Sequence, residues 1–479
     1  MKLKKILKDV EIISQKNFRD CNIKSITHIS KDVEKSGMFI CLKGENFDGN
    51  NFSYDAKIRG AKCIVTEEDL DVEEITIIKV KNARIAMSLI AKNFYNRCSD
   101  SLKLIGVIGT AGKTTTSFII ANILSKNANN IGVIGTNGIY IGNTRLDNKF
   151  TTPDPIDLHY TFFQMVSLGV KTVIMEVSAQ AIFLKKLYGL KFDICVFTNL
   201  SAEHLDFFGS MENYAKCKMD FFDKENMKEC VINVDDFYGM ELAYKTNVPC
   251  VSFAVDKPAN SFAIDISSGI TKLTFVANIL DDIINVSSSL VGEFNVYNLL
   301  AGMTVAKLCG VDSDIIKNSI NTMESIPGRF NVFEVNNKKI IVDFAHTPDS
   351  FQKTLTFVKK FCKGKLIVCF GCVGYSESEK RKDMGAIVDK FADSVIITTD
   401  NRGNSVFDEI CMDISKGIVL HKPILIEDRK EAIEFGFDSC KENDIFLILG
   451  KGAEDFQKIG NERVPYSDLE VVKNLIKEK

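Results

Sequence analysis

One stretch of the sequence has the residue types and the spacing to hold a phosphate. Residues 104–124 read LIGVIGTAGKTTTSFIIANIL. The apolar run from Leu104 to Ile108 reads as a buried strand, and Phe118, Ile119, Ile120, Ile123 and Leu124 recur at helical spacing. Between them lies a tight turn, Gly109, Thr110, Ala111, Gly112, Lys113, Thr114, Thr115. Strand, glycine turn and helix together let backbone N–H groups and the positive end of a helix approach phosphate oxygens. Lys113 would reach the terminal phosphates, and the Thr114 hydroxyl would sit on magnesium. The spacing differs from the common G-x-x-x-x-G-K-[ST] loop because position 107 is Val, so the flanking strand and helix carry the assignment.

Further candidates stand where strands should end. VKTVIMEVSAQAI (170–182) is a strand running into a turn, with Glu176 at its carboxyl end. DICVFTNLS (193–201) repeats that form and leads into AEHLDFFG (202–209). Strands alternating with helices predict a parallel sheet with ligands at its carboxyl edge. Glu176, Asn199, Glu203, His204 and Asp206 would then crowd the phosphate loop, and a carboxylate there is what magnesium needs beside a triphosphate. TTPDP (151–155) is a hydroxyl-bearing loop, and GEFNVYNLLAGMTVAKL (292–308) is a helix with Asn295 and Asn298 near its start.

The elements that position these residues fall into three units. Residues 1–100 read as a small α/β domain, with a helix at MKLKKILKDVEII, strands at 38–44, 61–67 and 76–81, a turn cluster NFDGNNF (46–52) and a helix at 83–95. Residues 101–327 form the central unit, and IPGRF (326–330) is the turn that closes it. Residues 328–479 carry KIIVDFAH, KLIVCFG, SVIITTD, PILIED and DIFLILG, buried strands with helices between them, a doubly wound sheet. Asp343, His346, Asp349, Lys380, Arg381, Asp400, Asn401, Lys451 and Glu454 stand where these strands end.

Composition sets the outer limits. A chain of 479 residues exceeds one ordinary core. With 60 basic and 63 acidic residues, it gives no sign of a nucleic-acid-binding surface. No run of 18 apolar residues suggests a membrane span. The basic N-terminus lacks the apolar core and cleavage site of a signal peptide. The 14 cysteines lie scattered in apolar stretches, as buried thiols of a reduced, cytoplasmic protein would. Cys369 and Cys372 form one C-x-x-C with no second pair, which favours buried thiols over zinc.

The motifs taken together resemble the Mur ligases, and within them the members that add the third amino acid to a UDP-muramoyl-dipeptide. DGNNF, GTAGKTT, TTP, MEVS, FTNLSAEHLDFFGSMENYAKCK, GEFNVYN, IPGRF, VDFAHTPDS, FGC, DN and GKGAEDFQ follow in one order over nearly the whole chain. The resemblance implies an α/β protein of three domains: a small N-terminal domain for the UDP-sugar, a central P-loop-type ATPase with a parallel sheet, and a C-terminal Rossmann-like doubly wound domain that delivers the free amino acid. Three large domains in one chain make a monomer the default expectation, and the charge balance and lack of a long apolar run lead us to expect no nucleic-acid or membrane partner. It places ATP on Gly109, Thr110, Gly112, Lys113, Thr114 and Thr115, with Asn295 and Asn298 near the adenine. Arg329, Asp343, His346 and Lys380 would complete the nucleotide site from the third domain. Thr114, Glu176 and His204 would hold two magnesium ions, with Lys218 as a carbamylated lysine whose new negative charge could ligate or orient them. Lys113, Lys218, His204 and His346 are the catalytic set on this reading. Ser30, Thr151, Thr152, Ser178 and Lys186 would meet the UDP-muramoyl-dipeptide, and Asp400, Asn401, Arg402, Gly450 and Glu454 the amino acid.

Several substrate-facing positions depart from the family pattern. The DNPR loop of diaminopimelate-adding members is Asp400-Asn401-Arg402-Gly403, GKGHE is Gly450-Lys451-Gly452-Ala453-Glu454, and GGDRD is Val373-Gly374-Tyr375-Ser376-Glu377. SSH becomes Ser178-Ala179-Gln180, DSR becomes Ile29-Ser30-Lys31, and the usual aspartate before His204 is Glu203. The resemblance implies an ATP-dependent ligase that adds an amino acid, diaminopimelate, lysine or a related one, to UDP-N-acetylmuramoyl-L-alanyl-D-glutamate through an acyl phosphate in peptidoglycan precursor synthesis. The departures make a divergent ligase with a different amino acid or carboxylate acceptor the alternative, with a folate- or cyanophycin-type substrate as the runner-up in the same superfamily. A catalytically silent nucleotide-binding scaffold is the reading from another class, and the intact Lys113, Thr114, Glu176, His204 and Lys218 weigh against it.

Overall fold

The computed structural model describes residues 1–478 except 45, 46, 128, 129, 143, 149, 375 and 376. Asn46 of the turn cluster and the departing positions Tyr375 and Ser376 lie outside the described residues. Three main sheets follow one another along the chain. The first has five strands in the order Ile12–Lys16, Thr76–Val80, Cys63–Thr66, Met38–Ile40, Ile26–Thr27. Its pairs are parallel except at the edge, where Ile12–Lys16 runs antiparallel to Thr76–Val80. The helix expected over the first residues is therefore short. Only Leu3–Ile6 is helical; Asp9 at φ 63 turns the chain, and the following isoleucines enter the edge strand.

The second sheet has eleven strands, and the strand that leads into the phosphate loop, Lys103–Ile108, sits inside it. Thr172–Val177 and Phe192–Phe197 pair with it in parallel on either side. This brings the ends of three expected strands to one edge of the sheet. Gly106 permits the crowding, since a Cβ there would lie 3.0 Å from Cys195 Sγ and 3.1 Å from the Phe192 ring. The helices Lys113–Asn127 and Glu293–Leu308 pack together on one face, over a core that includes Ile105, Ile119, Val296 and Leu299. The helix Pro155–Ser167 covers the other face, its Phe162 joining a core that includes Leu104 and Phe192.

The sheet is not wholly parallel as the strand–helix alternation suggested. Ser261–Ser268, Leu273–Ile279 and Asp282–Ser288 extend it as an antiparallel meander, and Gly138–Ile141 and Thr144–Leu146 fold back at the other edge. The hairpin between Ile279 and Asp282 turns on Leu280 (φ 50) and Asp281 (φ 74). Both residues occupy a conformation usually given to Asn-Gly, so the turn carried no sequence signal.

The third sheet has the order Asn331–Val335, Lys338–Asp343, Ile445–Leu449, Leu366–Phe370, Ser394–Ile397, Ile424–Leu425. All its pairs but the first are parallel, and helices cover both faces, as in a doubly wound fold. No helix among the described residues is long and apolar enough to cross a membrane. The cysteines are free thiols. Burial pushes Cys369 and Cys372 each up to about 12.

One buried ion pair ties this sheet to its last helix. Arg429 and Asp468 are fully buried, and the guanidinium donates to both carboxylate oxygens at 2.8 Å. The same guanidinium donates to the carbonyls of Leu449 (2.9 Å) and Thr399 (3.4 Å), the residues just before Gly450 and Asp400. Removing one partner strands a charge in the core. Asp468→Ala should therefore cost about 3–5 kcal/mol, read as a lower urea midpoint for the third domain.

Candidate active site

The phosphate loop is shaped from three sides. The end of the neighbouring strand supplies the first clamp. Thr198 Oγ1 donates to the Ala111 carbonyl at 2.7 Å, Asn199 Oδ1 accepts the Ala111 N–H at 2.9 Å, and Asn199 Nδ2 donates to the Ala111 carbonyl at 3.1 Å. A Cβ at Gly109 would stand 1.9 Å from Thr198 Oγ1. The helix Glu293–Leu308 supplies the second clamp. Asn298 Oδ1 accepts from Thr116 Oγ1 at 3.2 Å and would meet a Cβ at Gly112 at 2.3 Å, where φ is 83°. Lys113 closes the loop from above, its Nζ donating to the carbonyls of Gly109 (3.0 Å) and Thr110 (2.8 Å). Thr115 is buried beneath. Asn298 and Asn295 are buried and hydrogen-bonded to each other at 2.9 Å, so both brace the loop from behind.

Two carboxylates face the loop. Glu176 is 1 % exposed, at the end of its strand, and accepts from the backbone N–H and the hydroxyl of Thr136, each at 3.0 Å. The Thr136 hydroxyl also meets Thr151 Oγ1 at 3.1 Å. Thr152 is buried, and its hydroxyl bridges the Glu176 carbonyl (2.8 Å) and the Ser178 N–H (3.0 Å), so it holds the Glu176–Ser178 turn. Ser178 caps the helix Ala179–Phe183, and Lys186 pairs with Asp154 at 2.8 Å.

Glu203 is the second carboxylate. Its Oε1 lies 3.4 Å from His346 Nε2 and its Oε2 3.8 Å from His204 Nε2. Burial pushes this carboxyl up, but the His346 contact and the Lys113 charge outweigh it and hold the group well below the usual carboxylate range. Burial pushes His204 down.

Lys218, on the helix Met211–Met219, is 1 % exposed. Its amine donates to Tyr214 Oη at 2.5 Å and to Thr110 Oγ1 at 3.4 Å, and lies 4.2 Å from the Tyr214 ring centroid. Burial, with Lys113 adding to it, drives Lys218 well below the usual lysine range, which favours the neutral amine.

The third domain reaches into this site. Arg329, in the turn after the central unit, donates from Nη2 to Thr114 Oγ1 at 2.8 Å, with its guanidinium 4.2 Å from the Phe344 ring centroid. Burial lowers its pKa, while Glu176, Asp343 and Glu454 favour its charge. Asp343 shapes the adjoining turn by accepting the N–H groups of Phe330 (2.9 Å) and Ala345 (3.0 Å). His346 Nδ1 meets the Phe344 carbonyl at 2.9 Å.

Behind these, Lys451 is fully buried between Glu454 (2.7 Å), Asn401 Oδ1 (3.1 Å) and Asp400 (3.7 Å). A Cβ at Gly450 would stand 2.8 Å from Asp400 Oδ2. Arg402 is turned to its own surroundings, donating from Nη1 to the Ser405 carbonyl at 3.1 Å, with Nη2 3.6 Å from Glu427. Lys380 is half-buried on the helix Ser378–Phe391, and Ser30 is half-buried on the first unit. The sequence places Glu203 near the loop without giving it a role, and it does not single out Thr136, Thr198 or Tyr214. Tyr214 had a signal, because it stands four residues before Lys218 on one helix face.

No group of three or more His, Cys, Asp or Glu poised to hold a metal exists among the described residues. Magnesium does not need one. It takes one or two carboxylates and fills its shell with substrate phosphates and water. Glu176 and the Thr114 hydroxyl are oxygen donors of that kind beside the phosphate loop, so the donor set fits.

Comparison with known proteins decides the family. The Mur ligase middle domain matches residues 107–306, and the Mur ligase glutamate ligase domain matches residues 328–452. The UDP-N-acetylmuramoyl-L-alanyl-D-glutamate–2,6-diaminopimelate ligase of Clostridium perfringens is 36% identical over 490 aligned positions that cover 100% of both chains. The chain belongs to the Mur ligase family. A solved UDP-N-acetylmuramoyl-L-alanyl-D-glutamate–2,6-diaminopimelate ligase superposes with TM-score 0.70 at 27% identity, covering 100% of this chain and 99% of the other. The MurF ligase of Thermotoga maritima, solved in complex with ADP, shares the fold with TM-score 0.63 at 19% identity over 95% of this chain and 97% of the other. The resemblance of the motifs and the three-domain α/β architecture are thus confirmed for this Mur ligase.

The clamps on the loop make a test. Gly112→Ala adds a Cβ against Asn298 and forces a left-handed φ on a side chain. That φ alone costs about 1–2 kcal/mol. ATP affinity, measured by calorimetry, should fall about tenfold or more.

Proposed function

We propose that this Mur ligase uses ATP to join an amino acid to UDP-N-acetylmuramoyl-L-alanyl-D-glutamate, the acceptor named in its relatives, in the cytoplasmic assembly of peptidoglycan precursors. One observation carries the reading most. Two groups of the third domain meet the central unit at this site, Arg329 on Thr114 of the phosphate loop at 2.8 Å and His346 on Glu203 beside it at 3.4 Å. We take residues 1–100, 101–327 and 328–479 as the UDP-sugar, ATP and amino-acid domains of a monomer with no nucleic-acid or membrane partner.

The chemistry follows from charge. A carboxylate is a poor electrophile. Its attack on the γ-phosphorus of ATP releases ADP and leaves an acyl phosphate, whose carbonyl then accepts the incoming amine as inorganic phosphate departs. Lys113 and Arg329 face the transferring phosphoryl group, and His204 and His346 flank it. Ser178, Thr151 and Lys186 lie where the acceptor enters. Seating of the third domain excludes water, which would otherwise hydrolyse the acyl phosphate. Magnesium, held by Thr114, Glu176 and His204, would neutralise phosphate charge.

Lys218 fits carbamylation. The neutral amine is the form that adds carbon dioxide, burial favours that form of Lys218, and the Tyr214 and Thr110 hydroxyls beside it could donate to the carbamate. Lys218→Ala should lower amide formation by about 1000-fold, the scale of a lost electrostatic stabiliser. Acetate or formate should restore part of it, and a carbamate carbon signal should be present in wild type supplied with labelled bicarbonate and absent in the variant.

The relatives' printed names specify 2,6-diaminopimelate. A second reading, that this chain takes another amino acid, is favoured by Arg402, whose guanidinium is already engaged by Ser405 and Glu427. Phosphate release with ATP, magnesium and the UDP-muramoyl-dipeptide should depend on one member of a panel of meso-diaminopimelate, lysine, ornithine, serine and alanine. Release with diaminopimelate alone removes the second reading. No release with any, from protein that binds ATP, means the acceptor has changed.

A further inference from the structure

We propose that Glu203 is the positioning residue that couples the seating of the third domain to the phosphate loop. The proposal deepens the ligase reading and rests on it for its kinetic part. The two carboxylate oxygens are divided between the domains. Oε2 faces His204 of the central unit and Oε1 faces His346 of the third. The carboxylate is the buried centre, with a side chain 12% exposed, while the two imidazoles at 41% and 42% form its rim.

The contacts form a closed circuit. From Glu203 they pass to His346, whose Nδ1 is held by the Phe344 carbonyl and whose ring lies 4.7 Å from the Phe344 ring. Phe344 lies against the Arg329 guanidinium, and Arg329 donates to Thr114 beside Lys113. The loop leads back to Glu203 through Thr110, whose hydroxyl donates to the Ser201 carbonyl at 3.2 Å and accepts the Ser201 N–H at 3.1 Å, two residues before Glu203. His346 has acceptors at both ring nitrogens, so its orientation is set from one side by its own backbone and from the other by Glu203. The turn that presents Glu203 is also constrained. His204 has φ 56° and the short helix Leu205–Phe208 ends at Gly209 with φ 75°. A glutamate here reaches both histidines; an aspartate is one methylene shorter.

The test is a cycle on Glu203→Gln and His346→Gln, with Glu203→Asp as a third variant. Amide formation is followed across ATP and magnesium concentrations, and small-angle scattering reports the domain arrangement. The circuit predicts that Glu203→Gln lowers kcat by roughly 100-fold, as a misplaced catalytic group does, with the KM for ATP changed less than about twofold. It predicts that the double variant is no worse than Glu203→Gln alone, because both break one contact. It predicts a larger radius of gyration for Glu203→Gln and partial recovery in Glu203→Asp. Additive losses, an unchanged kcat, or recovery of Glu203→Gln at raised magnesium would overturn the proposal, the last by making Glu203 a metal ligand. If Glu203→Gln does not fold, Glu203→Asp and His346→Gln complete the cycle. If wild type forms no amide, the ligase reading fails, and scattering alone decides whether Glu203 seats the domain.

Discussion

A carboxylate that must stay charged where little water reaches it is the constraint around which the site is arranged. Burial disfavours the charged form of Glu203; the His346 contact and the nearby Lys113 outweigh it and favour the anion. These groups come from different sheets. The third domain, through His346, therefore supplies part of what favours the charge on this side chain. Arg329 has the same character, since its buried guanidinium finds its acceptor on Thr114 and its favourable charges on both sides of the domain boundary. An enzyme that makes an acyl phosphate gains from such a design, because the intermediate then forms only where water is excluded.

Beneath that charge network lies a rigid backbone. Thr198, Asn199 and Asn298 grip the phosphate loop so closely that Gly109 and Gly112 have no room for a Cβ. The grip holds N–H groups in place before any phosphate arrives, which is the source of strength in a preorganised site. Arg429 does the corresponding work in the third domain, anchoring the strand ends that precede Asp400 and Gly450. Loops at the strand ends of both domains thus hang from buried polar contacts rather than from apolar packing alone.

Much of this was legible in the residue order. The strand Lys103–Ile108, the helix Lys113–Asn127 and the end-of-strand position of Glu176 followed from periodicity and glycine placement. The doubly wound third sheet followed from its apolar runs. The antiparallel meander at 261–288 did not, because its hairpin turns on Leu280 and Asp281 without glycine or asparagine. The N-terminal helix is shorter than its spacing suggests, because Lys and Ile at helical spacing also suit a short helix followed by an edge strand.

The sequence by itself determined the local chemistry: a phosphate loop with its lysine, carboxylates at strand ends, and an ordered set of motifs that named the family. Those are properties of short segments, where propensity and spacing act. The tertiary structure decided which of these groups share a charge. Glu203 and His346 stand 143 positions apart in the chain, and no periodicity relates them. Nor could spacing show that Thr152, Asn295 and Asn298 turn inward as braces, or that Arg402 spends its guanidinium on Ser405 and Glu427. Such outcomes depend on distance and desolvation, and these exist only once the three sheets have packed.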